Sequence, residues 1–259
     1  MNKSSNYEDQ KKREVEWWEG KKKKKSLIGK FLSSRLFHSA ARSYISYSLS
    51  KKKFNYVIKQ HLKSNKLDKI LIAPCGAGGD FKYINEFSDE IHGIDLSPIG
   101  IKSCPASMIT KKGDISKSGY SDETFDLIAS TLFFHHLVKI GFQPFLKEFY
   151  RILKPGGKIV ILDFSVLYPL NAFTRPLKTI FRNPLGEIEE VAPFRPKYMI
   201  NSLKQVGFKN LEIYGGTFCH PFIYVPISKF IHFITKPILD KSPFKSFAWT
   251  IIFWGEKPR

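Results

Sequence analysis

Four places in the chain set polar side chains where chemistry could occur. The stretch ILIAPCGAGGDFKYI at 70–84 runs from apolar residues into Gly76, Gly78 and Gly79, followed by Asp80. A glycine turn between a strand and a helix lets the backbone approach a ligand closely. A phosphate-cradling loop needs a lysine followed by Ser or Thr after the glycines, and none follows here. A dinucleotide turn needs a third glycine, and Phe81 stands at that position. Asp80 would repel a pyrophosphate but not a ligand bearing a sulfonium and an ammonium. The second place is Asp95 in GIDLSPIGI, where a strand-end carboxylate can accept both hydroxyls of a ribose. The third is GDI at 113–115, where Asp114 can accept from an adenine amino group and the Ile115 amide can donate to a ring nitrogen. The fourth is His135–His136 in TLFFHHL, general-base candidates for removing a proton from an acceptor hydroxyl. Backbone-bonded structural histidines are the competing reading of that pair.

These residues need elements to hold them at one edge. Short apolar runs at 69–74, 91–95, 106–110, 125–131, 158–164, 210–215 and 247–256 read as strands, with helical patterns between most of them. Strands alternating with helices predict an α/β fold with a parallel, doubly wound sheet. In that order Asp95, Asp114 and the histidines all fall at strand ends on the same edge. A helix is expected at 195–206, ended by Gly207. Residues 26–50 and 52–64 predict two N-terminal helices, and 1–25 is expected to be disordered at least at its start.

The 259 residues carry a formal net charge of +19. Residues 1–65 hold 17 basic and 5 acidic side chains, so the excess is concentrated there, with KKKKK at 21–25. A basic arm suits nucleic acid or an anionic membrane surface. Cys75, Cys104 and Cys219 form no CxxC pair, which argues against a zinc site or a disulfide framework and suits a reducing, cytoplasmic compartment. The start of the chain has no apolar core of a secretory signal. PFIYVPISKFIHFITKPIL at 221–239 is broken by lysines and prolines and is a poor membrane span.

Taken in series, ILIAPCGAGGD, IHGIDLSPIGI, KKGDISKSGYSDETFDLIASTLFFHHL and FLKEFYRILKPGGKIVILDF resemble the class I S-adenosylmethionine-dependent methyltransferases, in the broad group that includes the ubiquinone/menaquinone-type enzymes. The resemblance covers roughly 68–165, and RILKPGG is its most specific piece. It implies a Rossmann-like three-layer sandwich whose seven-stranded, mostly parallel sheet has an antiparallel last strand. It implies S-adenosyl-L-methionine as cofactor. Pro74, Cys75, Gly76, Gly78, Gly79 and Asp80 then meet its methionine part, with Thr131 behind. Asp95 and Leu96 meet the ribose, and Asp114 and Ile115 the adenine. Two positions depart from the family pattern. Ile72 stands where an acidic residue is usual, and Pro74 where the first glycine is usual. Asp80 is expected to replace the missing carboxylate.

The domain division that follows is a basic N-terminus at 1–25, a helical extension at 26–65 covering the cofactor and acceptor side, and a methyltransferase domain at 66–259. Segments 165–195 and 215–245 are the expected acceptor-side insertions. Arg195 and His220 are candidates for holding an acceptor, Arg195 having a surface ion pair as its plainer role. The acceptor is expected to be small or lipid-like and methylated at oxygen or carbon, without a metal. STLF follows the fourth strand where enzymes acting on base amines carry Asn/Asp-Pro-Pro-aromatic, so nucleic acid is disfavoured as substrate. An RNA methyltransferase with a basic arm and a non-catalytic binding module are the alternatives. No obligate protein partner is evident. Peripheral contact with the inner membrane surface is open to the basic N-terminus and 221–239. Ile227, Phe230, Ile231 and Ile234 share a helical face that is expected to pack on the core, a lid or a monolayer-dipping helix being the other readings.

Overall fold

The computed structural model describes residues 3–18, 40–63, 65–172, 192–241 and 243–259. In chain order the main elements are α1 (Lys3–Trp18), α2 (Ala40–Leu62), β1 (Leu67–Ile72), β2 (Ser88–Asp95), α3 (Pro98–Lys102), β3 (Met108–Lys112), β4 (Phe125–Thr131), α4 (Gln143–Ile152), β5 (Leu153–Phe164), α5 (Pro196–Val206), β6 (Lys209–Thr217), α6 (Val225–Thr235) and β7 (Thr250–Glu256). Single 3-10 turns follow β1, β3 and β4 at Phe81–Tyr83, Ile115–Lys117 and Phe134–His136.

The strands form one seven-stranded sheet in the order β3-β2-β1-β4-β5-β7-β6. β1 to β5 are parallel to one another, and β7 lies antiparallel between β5 and β6. The expected sheet is therefore present. Alternate residues of each central strand enter two separate cores. Leu71, Ile128, Ile159 and Ile161 pack toward α4 and α5. Ile70, Ile72, Leu127, Val160 and Leu162 pack toward Phe54, Val57, Ile58 and Leu62 of α2. Both faces are covered, which is why the strands read as continuous apolar runs rather than alternating ones.

Local chemistry sets several boundaries. Phe145, Leu146, Phe149 and Ile152 recur at helical spacing on α4 and are fully buried. RILKPGG carries α4 directly into β5. Gly157 is required there, because a Cβ would lie 2.7 Å from the Lys154 carbonyl oxygen. Gly207 ends α5 in the left-handed region at φ +114°.

Three expectations change. The start of the chain is helical rather than disordered: α1 docks on the domain through Tyr7, Gln10 and Lys11. The two N-terminal helices expected at 26–50 and 52–64 become one over Ala40–Leu62, because nothing around KKK at 51–53 breaks it; the part before Ala40 lies outside the described residues, as does most of the 165–195 insertion. Finally, the apolar face of α6 does not pack on the core. Ile227, Phe230 and Ile234 are exposed, and Ser228 is the helix's buried residue.

Candidate active site

The sheet order reverses between β1 and β4, and the crevice beyond their carboxyl ends is where doubly wound folds bind ligands. The chain leaves β1 through Ala73, whose amide donates to the Ala129 carbonyl at 3.0 Å, and a cis Ala73–Pro74 bond. The Cys75 amide donates to Ile94 at 3.0 Å and the Gly76 amide to Asp95 Oδ2 at 2.8 Å. The turn is thus laced to β2. Gly76 and Gly78 both sit at positive φ, and a Cβ on Gly78 would meet Pro105 Cδ at 2.5 Å. Above Gly76 and Gly79 a Cβ would meet nothing within 4 Å. Backbone is open to a ligand there. The Cys75 side chain turns the other way, into the core, and burial pushes its thiol pKa up.

Three carboxylates line this edge. Asp80 accepts from Thr131 Oγ1 at 2.5 Å and pairs with Lys51 Nζ at 2.6 Å. That contact joins the glycine turn, the end of β4 and α2. Asp95 ends β2 and accepts the Gly76 amide on one oxygen and the Ser97 amide, at 2.8 Å, on the other. Ser97, not Asp95, caps α3, accepting from the Gly100 amide at 3.1 Å. Leu96, between them, is half-buried. Asp114 accepts from Tyr7 Oη at 2.7 Å, from Lys11 Nζ at 3.0 Å and from the Ser116 amide and hydroxyl at 2.8 Å. Burial raises the Asp114 pKa, but the bonds from Tyr7, Lys11 and Ser116 outweigh it and hold the carboxyl below its ordinary value. Ile115 is buried beside it. A ligand with two cationic centres, a ribose and an adenine fits this set of groups: open backbone over the glycines, Asp80 in the turn, Asp95 at the end of β2 and Asp114 just beyond β3.

Further along the edge, His135 Nδ1 lies 2.7 Å from Asp163 Oδ1, and its amide donates to Asp163 Oδ2 at 3.2 Å. Asp163 is fully buried near the end of β5. The pair fixes the imidazole with Nδ1 toward the carboxylate. His136 lies against it, ring centroids 4.2 Å apart, and its carbonyl accepts from Gln10 Nε2 at 2.6 Å. An aromatic group continues from His135: Phe164 at 4.7 Å, then Trp249, then Tyr47 and His220, with Tyr168 stacked on His220. His220 Nδ1 accepts from the Phe222 amide at 3.2 Å. Arg195 stands exposed at the start of α5, one residue after Phe194, which bridges to Ser165 beyond β5.

Asp163, Lys51, Tyr7 and Lys11 were not singled out from sequence. Asp163 had a signal, a carboxylate placed in the apolar strand KIVILDF. The other three reach the edge only through tertiary docking of the N-terminal helices. Among the described residues no His, Cys, Asp and Glu cluster could hold a metal, and no helix is long and apolar enough to cross a membrane.

Known proteins resemble the same part of the chain. A methyltransferase domain model matches residues 71–161. Phosphoethanolamine N-methyltransferase 3 of Arabidopsis thaliana is 37% identical over 108 residues, 37% of this chain and 21% of that protein. The demethylmenaquinone methyltransferase of Chlorobaculum parvum is 29% identical over 157 residues, 52% of this chain and 63% of that protein. The chain thus spans less than two thirds of either relative. Among solved structures, a possible histamine N-methyltransferase of Thermotoga maritima superposes with a TM-score of 0.62 at 18% identity, covering 84% of this chain and 94% of that one. A phosphoethanolamine N-methyltransferase of Haemonchus contortus, in complex with phosphomonomethylethanolamine and S-adenosylhomocysteine, superposes with a TM-score of 0.54 at 17% identity, covering 80% of this chain and 52% of that one. At such identities the structural likeness is one of fold.

Proposed function

We propose that this chain, whose residues 71–161 are a methyltransferase domain set in a class I methyltransferase fold, uses S-adenosylmethionine to methylate a small or lipid-like acceptor. The observation that carries the reading is Asp95 at the end of β2 and Asp114 just beyond β3, with Asp80 of the glycine turn bonded to Thr131 at the end of β4, beside glycine backbone left open. Asp95 would hold the ribose, Asp114 and Ile115 the adenine, and Asp80 with Thr131 and Lys51 the methionine end. The cofactor, when bound, supplies a methyl group activated for in-line displacement. The protein then aligns the acceptor and excludes water, which can be worth ~7–11 kcal/mol.

For an oxygen or acidic carbon acceptor a base is needed. His135 suits that role, because Asp163 orients its ring and would stabilise the imidazolium formed on taking the proton. The aromatic group from Phe164 to Tyr168 supplies an apolar wall, with His220 within it and Arg195 at its margin. The three free cysteines agree with a reducing, cytoplasmic setting, and the basic N-terminus with an acceptor met at an anionic membrane surface.

The identity to phosphoethanolamine N-methyltransferases favours a second reading, an amine acceptor. Such an amine is an ammonium near neutral pH and must lose a proton before it attacks, so His135, oriented by Asp163, would serve as base on this reading as well. Calorimetry with S-adenosylhomocysteine tests the cofactor site: no binding would mean a non-catalytic module. Transfer of labelled methyl from S-adenosylmethionine to phosphoethanolamine, or to a quinol or phenol, separates the two acceptor readings.

A further inference from the structure

We infer that the cleft between α2, the Phe81–Tyr83 turn and α6 binds the phosphate headgroup of an anionic phospholipid, seating α6 on the bilayer with its aromatic face inserted. The inference rests on the lipid-like-acceptor reading for its purpose, though its geometry is separate from the cofactor edge.

The cleft encloses about 460 Å³. Lys52 from α2, Lys82 from the turn, and Lys229 and His232 from α6 line it, with Ser48 and Tyr44. No carboxylate lines it, and among the described residues none of these three lysines meets one. These exposed lysines reach the cleft from three separate elements, Lys82 Nζ lying over the Tyr83 ring at 5.1 Å and the Tyr44 ring at 5.8 Å, and together they give it a positive rim that attracts an anion. Burial, and then Lys236, Lys52 and Lys53, hold the His232 pKa below its ordinary value.

The rim explains the source of the anion. α6 is inverted relative to a helix packed on a core. Its polar Ser228 is 2% exposed, while Phe230 is 63% and Phe233 77% exposed. Ile227 and Ile234 lie outward too, and Tyr224, just before the helix, and Phe244, later in the same segment, are also exposed. An exposed apolar patch of this kind calls for a partner. Its flanking charges are mostly positive, Lys229, Lys236, Lys241 and Lys245, and the carboxylate among them, Asp240, is paired with Lys53 Nζ at 2.5 Å. Aromatic side chains outward with lysines beside them match the depth profile of an anionic lipid interface. A soluble phosphate compound would use the lysines but leave the aromatic face in water.

The test is sedimentation of the full chain with vesicles of phosphatidylcholine alone, or of phosphatidylcholine mixed with phosphatidylglycerol. We expect binding to the mixed vesicles only. Lys229→Glu should weaken it about tenfold, and the double variant F230S/F233S about a hundredfold. The basic N-terminus stays intact in both variants, so it cannot produce the losses. Equal binding to the two vesicle types, or binding undiminished in both variants, overturns the inference. So does absence of vesicle binding with retained binding of glycerol 3-phosphate, or self-association through this face. S-adenosylhomocysteine affinity without vesicles, expected to be unchanged in the variants, checks their fold. It also separates the outcomes: vesicle binding without cofactor binding would sink the methyltransferase reading and leave the lipid surface standing.

Discussion

Asp95 spends both carboxylate oxygens on backbone amides, one on the glycine turn and one at the start of α3. Replacing Asp95 removes a charge-assisted bond worth ~1.5–3 kcal/mol and releases Gly76. Asp95→Ala should therefore weaken S-adenosylhomocysteine binding by about 10- to 100-fold, measured calorimetrically; unchanged affinity would show that the ribose lies elsewhere. At His135 the expected pattern is opposite. His135→Ala and Asp163→Asn should each leave cofactor affinity near normal and slow turnover of a hydroxyl or carbon acceptor by about 10²–10⁴-fold. Asp163→Asn should act by reversing the ring orientation rather than by emptying the site. If neither changes turnover, both residues are structural. Asp95, Asp114 and Thr131 could be seen in sequence because each ends or follows an apolar strand. Lys51 and Tyr7 could not, since a lysine in KKK or a tyrosine in a polar run carries no sign of which distant carboxylate it will meet.

Among the elements, the strands were the most legible. A parallel sheet buried on both faces writes itself as short runs of Ile, Leu, Val and Phe, and all seven runs became strands. Boundaries were less so: β5 begins at Leu153, well before the apolar run at 158, because the PGG turn still pairs with neighbouring backbone. α4 shows what helical spacing can fix. Phe149 is fully buried in the same core as Phe134 and Leu146, its ring centroid 6.3 Å from that of Phe134, with Tyr150 half-buried against that core. Phe149→Ala should cost ~3–5 kcal/mol, read as a fall in denaturant midpoint with an unchanged slope. α6 misled for a physical reason. An amphipathic pattern says that one face avoids water, not which partner covers it, and a bilayer and a protein core ask for the same spacing.

For the whole molecule, acid should be felt before the carboxylates titrate. His61 is stacked on Trp254 with centroids 4.0 Å apart and is 2.9 Å from Tyr214 Oη. Burial depresses its pKa below the ordinary 6.5, more than Glu212 and Glu256 raise it. His232 is shifted the same way. The unfolded chain therefore takes up protons at these sites that the folded one refuses. Stability is full above pH 6.5 and falls as pH drops from there toward the folded pKa values. Melting temperature should decline over that window, and His61→Phe, which keeps the ring on Trp254, should flatten part of the decline. An identical slope in the variant would remove His61 from the account.

The place of β7 has a temporal consequence. β5 is finished at Phe164, yet one of its two neighbours starts only at Thr250. On a ribosome moving at about 5–20 residues per second, the open edge of β5 waits on the order of ten seconds for its partner. During that interval the nascent sheet offers other strands an unpaired rim, and a chaperone or a slow codon stretch would act there first.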